Sequence, residues 1–278
     1  MKKLLALFVM YILFFLSFSI CKANVKPDPD SILSFQIEML RWDEVNKLLP
    51  KYSTFKVVDF ETGQSFMVQR RAGHYHADVQ PISHRDTKIM KDIYNGEWSW
   101  RRRAILVAVN DEWIAASMHG MPHGAGALKN GFPGHFCIHF FGSKTHRSHD
   151  TDLSHQLMIL KAAGKLDQYV SEAEPEEVVD IFFAGLKQHD AKIVESVLIP
   201  GQKINWDTVW DEMNTISLRR FSISKDHPSS IYIEVPVEYE WIHRDIGRKV
   251  YDNELFLVKL SPIKGWKVDS EWLTDGVY

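Results

Sequence analysis

Cysteine is almost absent: the 278-residue chain has two, Cys21 and Cys137. Cys21 follows an apolar N-terminal run, so processing there would leave Cys137 with no second thiol. That excludes an intramolecular disulfide and leaves the thiol as either a buried apolar filler or a reactive group. An excess of charge is also missing, since 33 Lys+Arg stand against 36 Asp+Glu. Such a balance lacks the basic footprint of nucleic-acid binding, and no nucleic-acid motif is present. Long hydrophobic runs are limited to Leu4–Ile20, interrupted by Ser17 and Ser19.

That run, with Met1-Lys2-Lys3 before it and Cys21-Lys22-Ala23 after it, reads as a secretory signal over residues 1–23. The alternative is an uncleaved anchor, slightly short for a span of about 20 residues, and membrane attachment would run only through this segment. Both readings place the body of the protein outside the membrane.

The remainder is long enough for two domains. Residues 24–167 balance at +2 and residues 168–278 at −8. The acidic stretch Ser171-Glu172-Ala173-Glu174-Pro175-Glu176-Glu177 reads as a linker or helix start, so the expected domains are 24–170 and 171–278. In the first, Ser34–Leu49 reads as a helix, and Thr54–Phe60 and Ser65–Gln69 as a hairpin. A polar loop and a helix from Asp86 to Tyr94 follow. Ala104–Val109 and Trp113–Met118 form a second hairpin, Gly120–Gly134 a loop, Phe136–Phe141 a strand and Leu153–Leu166 a helix. In the second, helices over Glu176–Lys187 and Ala191–Leu198 precede four strand-like runs, Ile216–Ser224, Ser230–His243, Lys249–Leu260 and Gly265–Ser270. Glu234, Glu238 and Glu240 alternate with apolar residues as one solvated strand face. The expected class is α+β.

Histidine is concentrated: ten of thirteen lie between His74 and His155. Among them stand Met118-His119-Gly120 and His135-Phe136-Cys137-Ile138-His139. A thiol with an imidazole in reach is the minimum apparatus of an acyl-transfer nucleophile. His146, His149 and His155 read as surface or structural residues. Trp98 and Trp100 alternate like core residues, although a sugar-stacking role is open to them.

His119-Gly120, the loop that with Gly120 makes fourteen residues (120–133), and Gly134-His135-Phe136-Cys137-Ile138-His139 resemble the catalytic motif of the L,D-transpeptidase (YkuD-like) family. The chain departs from it at Gly134, Phe136 and His139. The resemblance implies a β-rich transpeptidase-like domain performing cysteine-dependent acyl transfer, as transpeptidation or carboxypeptidase hydrolysis, on peptidoglycan stem peptides. Cys137 would be the nucleophile, His119 the base and His135 the supporting imidazole. Gly120, His123, Phe136 and His139 would contact substrate, and no metal or cofactor is required. A second resemblance, through His76-Ala77-Asp78-Val79-Gln80-Pro81 and Trp98-Ser99-Trp100, is to secreted, cell-wall-associated proteins of Gram-positive bacteria. The C-terminal pattern of helices and antiparallel strands resembles the NTF2-like (cystatin-like cone) fold, which leaves a homodimer through that domain open.

Two alternatives use the same residues. His76, Asp78, His135 and His139 are similar to the ligand sets of secreted zinc peptidases. In a strand, however, positions four apart sit about 13 Å from each other, which opposes joint ligation by His135 and His139. The other alternative is a non-catalytic wall-binding or scaffold protein with a degenerate pocket.

Overall fold

Residues alternating between apolar and polar in the first half of the chain build strands with two unlike faces. The computed structural model describes residues 36–145, 150–224, 231–261, 265–269 and 273. The segment read as a signal, with Cys21, lies outside the described residues, as do His146 and His149. No helix among the described residues is long and apolar enough to cross a membrane.

The first sheet holds β1 (Ile37–Glu38), β2 (Thr54–Asp59), β3 (Ser65–Ala72), β4 (Ala77–Pro81), β5 (Arg102–Val109), β6 (Glu112–His119) and β7 (Phe136–His139). Their order is β1-β6-β5-β2-β3-β4-β7, and β6 also pairs with β7. Six strands therefore close into a barrel, with β1 added in parallel to the start of β6. Its interior is apolar, packed with residues such as Val57, Val68, Val79, Ile105, Ile114 and Phe136. Helices α1 (Trp42–Leu48) and α2 (His84–Ile93) bury Val45, Met90 and Ile93 in the same core.

Helices α3 (Leu153–Ala162), α4 (Leu166–Glu172), α5 (Pro175–Gln188), α6 (Ala191–Val197) and α7 (Trp206–Glu212) follow. Then comes an antiparallel sheet of β8 (Met213–Phe221), β9 (Tyr232–His243), β10 (Gly247–Lys259) and β11 (Trp266–Val268), ordered β11-β10-β9-β8. Helix α3 packs on β5 and β6, and α5 packs on β8 and β11. One apolar core joins Ala104 and Ala115 of the barrel wall to Leu157, Phe182 and Val235, so residues 157–170 share it with the second sheet. On that sheet Glu238 and Glu240 pair with Arg219, Arg220 and Arg248, at 2.5–3.7 Å, as a solvated face does. The fold is α+β.

Four elements differ from the sequence-based expectation, one of them helix α7, where the sequence reading placed none. Ile37 and Glu38 extend beside Trp113 and Ile114, and the helix begins only at Trp42. The expected helix Leu153–Leu166 is two helices, broken at Gly164, whose φ of +67° suits glycine. The stretch read as a polar loop contains β4, all five of whose residues are buried.

Candidate functional site

Strand alternation sorts the barrel wall into an apolar inside and a polar outside. On β7, Phe136 and Ile138 belong to the barrel core, which leaves Cys137 and His139 on the outer face. By the same parity Asp78 on β4, and Ser117 and His119 on β6, share that face. Asp78 is paired with Cys137, and Ser117 with His139. Continuing the antiparallel register sets His119 level with Cys137, so Asp78, Cys137 and His119 form one cross-strand row. Helix α3 supplies His155, whose Nδ1 lies 2.9 Å from Ser117 Oγ and whose ring stacks on His139 at 3.8 Å.

Cys137 Sγ lies 3.3 Å from His123 Nε2 and 3.7 Å from Asp78 Oδ1. His123 Nδ1 faces the Met121 carbonyl at 3.1 Å. A carbonyl only accepts, so Nδ1 carries the proton and the Nε2 lone pair faces the thiol. His76 Nδ1 donates likewise to Lys144 O at 2.7 Å, and His135 Nδ1 to Ala125 O at 3.0 Å. Their Nε2 atoms stand 3.2 and 3.9 Å from Asp78 Oδ1. Three imidazoles anchored on main-chain carbonyls thus turn toward one thiol and one carboxylate.

The loop between β6 and β7 holds this arrangement. His123 and His135 exchange two backbone hydrogen bonds of 2.9 Å, and Gln80 donates to Gly134 O at 2.7 Å and accepts from Ala127 N at 2.9 Å. Gly134 has φ +127°, and a Cβ there would lie 2.5 Å from His123 O. Gly134→Ala is therefore expected to lower stability by about 1–3 kcal/mol and to withdraw His123 from the sulfur. Urea unfolding and the rate of Cys137 modification report the two effects separately.

Burial dominates the electrostatics. It pushes the Cys137 thiol up, and Asp78 adds to this by its charge and as hydrogen-bond acceptor, so the resting sulfur is a neutral thiol. His119 and His155 are held well below the ordinary imidazole range, first by burial, then by His123 and His139 respectively, with Arg102 adding. The unfolded chain protonates these rings near pH 6.5, the native one only at lower pH. Below about 6.5 the unfolded state therefore binds more protons, and stability falls as pH drops. The urea midpoint at pH 5.5 should lie below that at pH 7.5; equal midpoints would show that both rings protonate freely in the native state.

Of the predicted residues, Cys137 and His119 lie side by side, with ligand atoms of His119, His123 and Cys137 all within 4.8 Å of one another. His123, expected at the substrate, is the imidazole on the sulfur, while His135 faces Asp78. His139 is buried between His76 (ring centroids 4.4 Å) and His155, and lines a 310 Å³ cavity with the latter. Two expected substrate contacts occupy buried positions. Phe136 is fully buried inside the barrel against Phe66 and Phe132, away from Cys137. Gly120 sits against Tyr94, where a Cβ would come within 2.6 Å of the ring. For the zinc set, His76, Asp78 and Cys137 bring ligand atoms within 4.8 Å, but neither His135 nor His139 joins such a group among the described residues. Trp100, which alternates like a core residue, is 51% exposed, with its ring 4.8 Å from His119 and 5.5 Å from His123. The role of Gln80 in tying the loop had no signal in spacing.

No protein-family model matches the chain, and no curated protein matches it either.

Proposed function

We propose that the protein is a secreted enzyme of the cell wall that transfers or hydrolyses peptide acyl groups through Cys137. The observation that carries this reading is the 3.3 Å contact between Cys137 Sγ and the unprotonated Nε2 of His123. Because the resting thiol is neutral, its proton would pass to His123 as sulfur attacks the carbonyl carbon. The tetrahedral intermediate then collapses, the C–N bond breaks, and His123 returns the proton to the departing amine. A second amine releases the thioester as a cross-link, and water releases it as a free acid. His119 lines the same sulfur, and the Lys144 and Ala125 carbonyls orient His76 and His135 beside Asp78. The L,D-transpeptidase-like motif motivates peptidoglycan stem peptides as acyl donors, and an NTF2-like second sheet would position the wall polymer.

A second reading is favoured by the anchored imidazoles. Histidines that bind metal characteristically donate their other N–H to a carbonyl or carboxylate, and a metal ion would take the place of the thiol proton that burial otherwise retains. His119, His123 and Cys137, or His76, Asp78 and Cys137, would hold zinc, leaving a position for water. Intact mass after incubation with a carbapenem, with zinc measured in the same sample, separates the two. An adduct on Cys137 in metal-free protein supports the thiol. Stoichiometric zinc without an adduct replaces that reading with the metal one, and neither result leaves a binding-only protein.

A further inference from the structure

A cleft of 810 Å³ opens beside the site, between the Trp98–Arg103 segment, the end of α5, Trp210 of α7 and Arg244 after β9. Trp100 is part of its wall, and the same ring packs on His119 and His123, so this tryptophan stands between the cleft and the imidazoles around Cys137.

Its charges are unevenly matched. Arg103 is satisfied by Asp59 at 2.6 Å and Glu61 at 3.0 Å, and Arg102 by Asp152 at 2.7 Å. Asp190 and Glu61 are both engaged by Lys161 at 2.6 Å. Arg101, Arg244 and Lys187 remain without a carboxylate in ion-pair contact among the described residues, and Glu97 is the one acid in the lining not so engaged. Arg101 does reach His189 Nδ1 at 3.0 Å, but burial and the neighbouring arginine take that imidazole down to about 4, so it accepts a hydrogen bond without neutralising charge. Arg101 also loses proton affinity through burial and then through repulsion from Arg244, with the Glu97 charge offsetting part of the loss. A single oxyanion between them would relieve the repulsion and match their fork geometry.

We infer that this cleft binds a peptide through a free carboxylate held by Arg101 and Arg244, with the chain lying along Trp98 and Trp100 toward Cys137. Glu97 tolerates one negative charge nearby but opposes a doubly charged phosphate, and the tryptophan wall suits an organic chain over a bare ion. The role of the cleft as the arm of that site rests on the reading of Cys137 as the reacting centre; the binding itself does not.

The test therefore uses Cys137→Ala protein, in which no chemistry at sulfur intervenes. N-acetyl-tetraalanine with a free carboxylate, its C-terminal amide and inorganic phosphate are titrated by calorimetry and tryptophan fluorescence. The acid should bind and shift Trp emission, the amide should bind at least about tenfold more weakly, and phosphate should displace the acid only weakly. Arg101→Gln and Arg244→Gln should each remove most of the preference for acid over amide, with circular dichroism unchanged. Equal binding of acid and amide, no binding of the acid, phosphate binding as tightly as the peptide, or a preference that survives both substitutions would overturn the assignment. Failure here with a carbapenem adduct on Cys137 would discard the cleft and keep the thiol.

Discussion

Replacing His123 by alanine is expected to slow acylation of Cys137 by roughly 10²–10⁴-fold, the range of a positioned general base. The motif alone assigns that task to His119, with His135 as the supporting imidazole. The side chains make a different choice: His123 presents a bare Nε2 to the sulfur, whereas His135 Nε2 stands 3.9 Å from Asp78. His135→Ala should therefore slow the same step far less. Single-turnover mass measurements with a carbapenem rank the variants. Should His135→Ala prove the more damaging, the base would have to be reassigned.

Phe136→Ala is expected to cost about 3–5 kcal/mol, because truncating an aromatic in a closed core leaves a cavity that neighbours fill only in part. Phe136 is fully buried with ring centroids 6.3 Å from Phe66 and 5.7 Å from Phe132. For a chain of this size the loss should lower the melting temperature by roughly 10 °C. Scanning calorimetry measures it, and a variant that melts within a degree or two of the parent would contradict the inward orientation. The glycine of the resembling motif stands at this position. Here the side chain takes the interior route, so it does not crowd the face that carries Cys137.

The barrel hairpins were legible because one face of each strand is apolar and the turns carry glycine, asparagine and aspartate. The second sheet was legible for the same reason, its solvated row of glutamates included. Strand β4 was hidden because its outward residues are polar yet buried, so Asp78 and Gln80 imitate a loop in the sequence. Clustering of histidines around Cys137 marked a candidate site, but not which loop histidine would reach the sulfur; that depends on the bridge between His123 and His135. His155 read as surface or structural and is buried on Ser117 and His139. Trp100 read as core because alternation cannot tell a cleft wall from an interior.

Consecutive residues of β7 answer to different masters. Phe136, Ile138 and Phe140 belong to the barrel core, while His135, Cys137 and His139 belong to the polar face. Substitution tolerance along this segment should therefore alternate with a two-residue beat, one set answering in melting temperature and the other in the reactivity of the Cys137 thiol. Thermostability could then be raised from inside the barrel without disturbing the polar row on its wall, a separation that sites built on loops seldom allow.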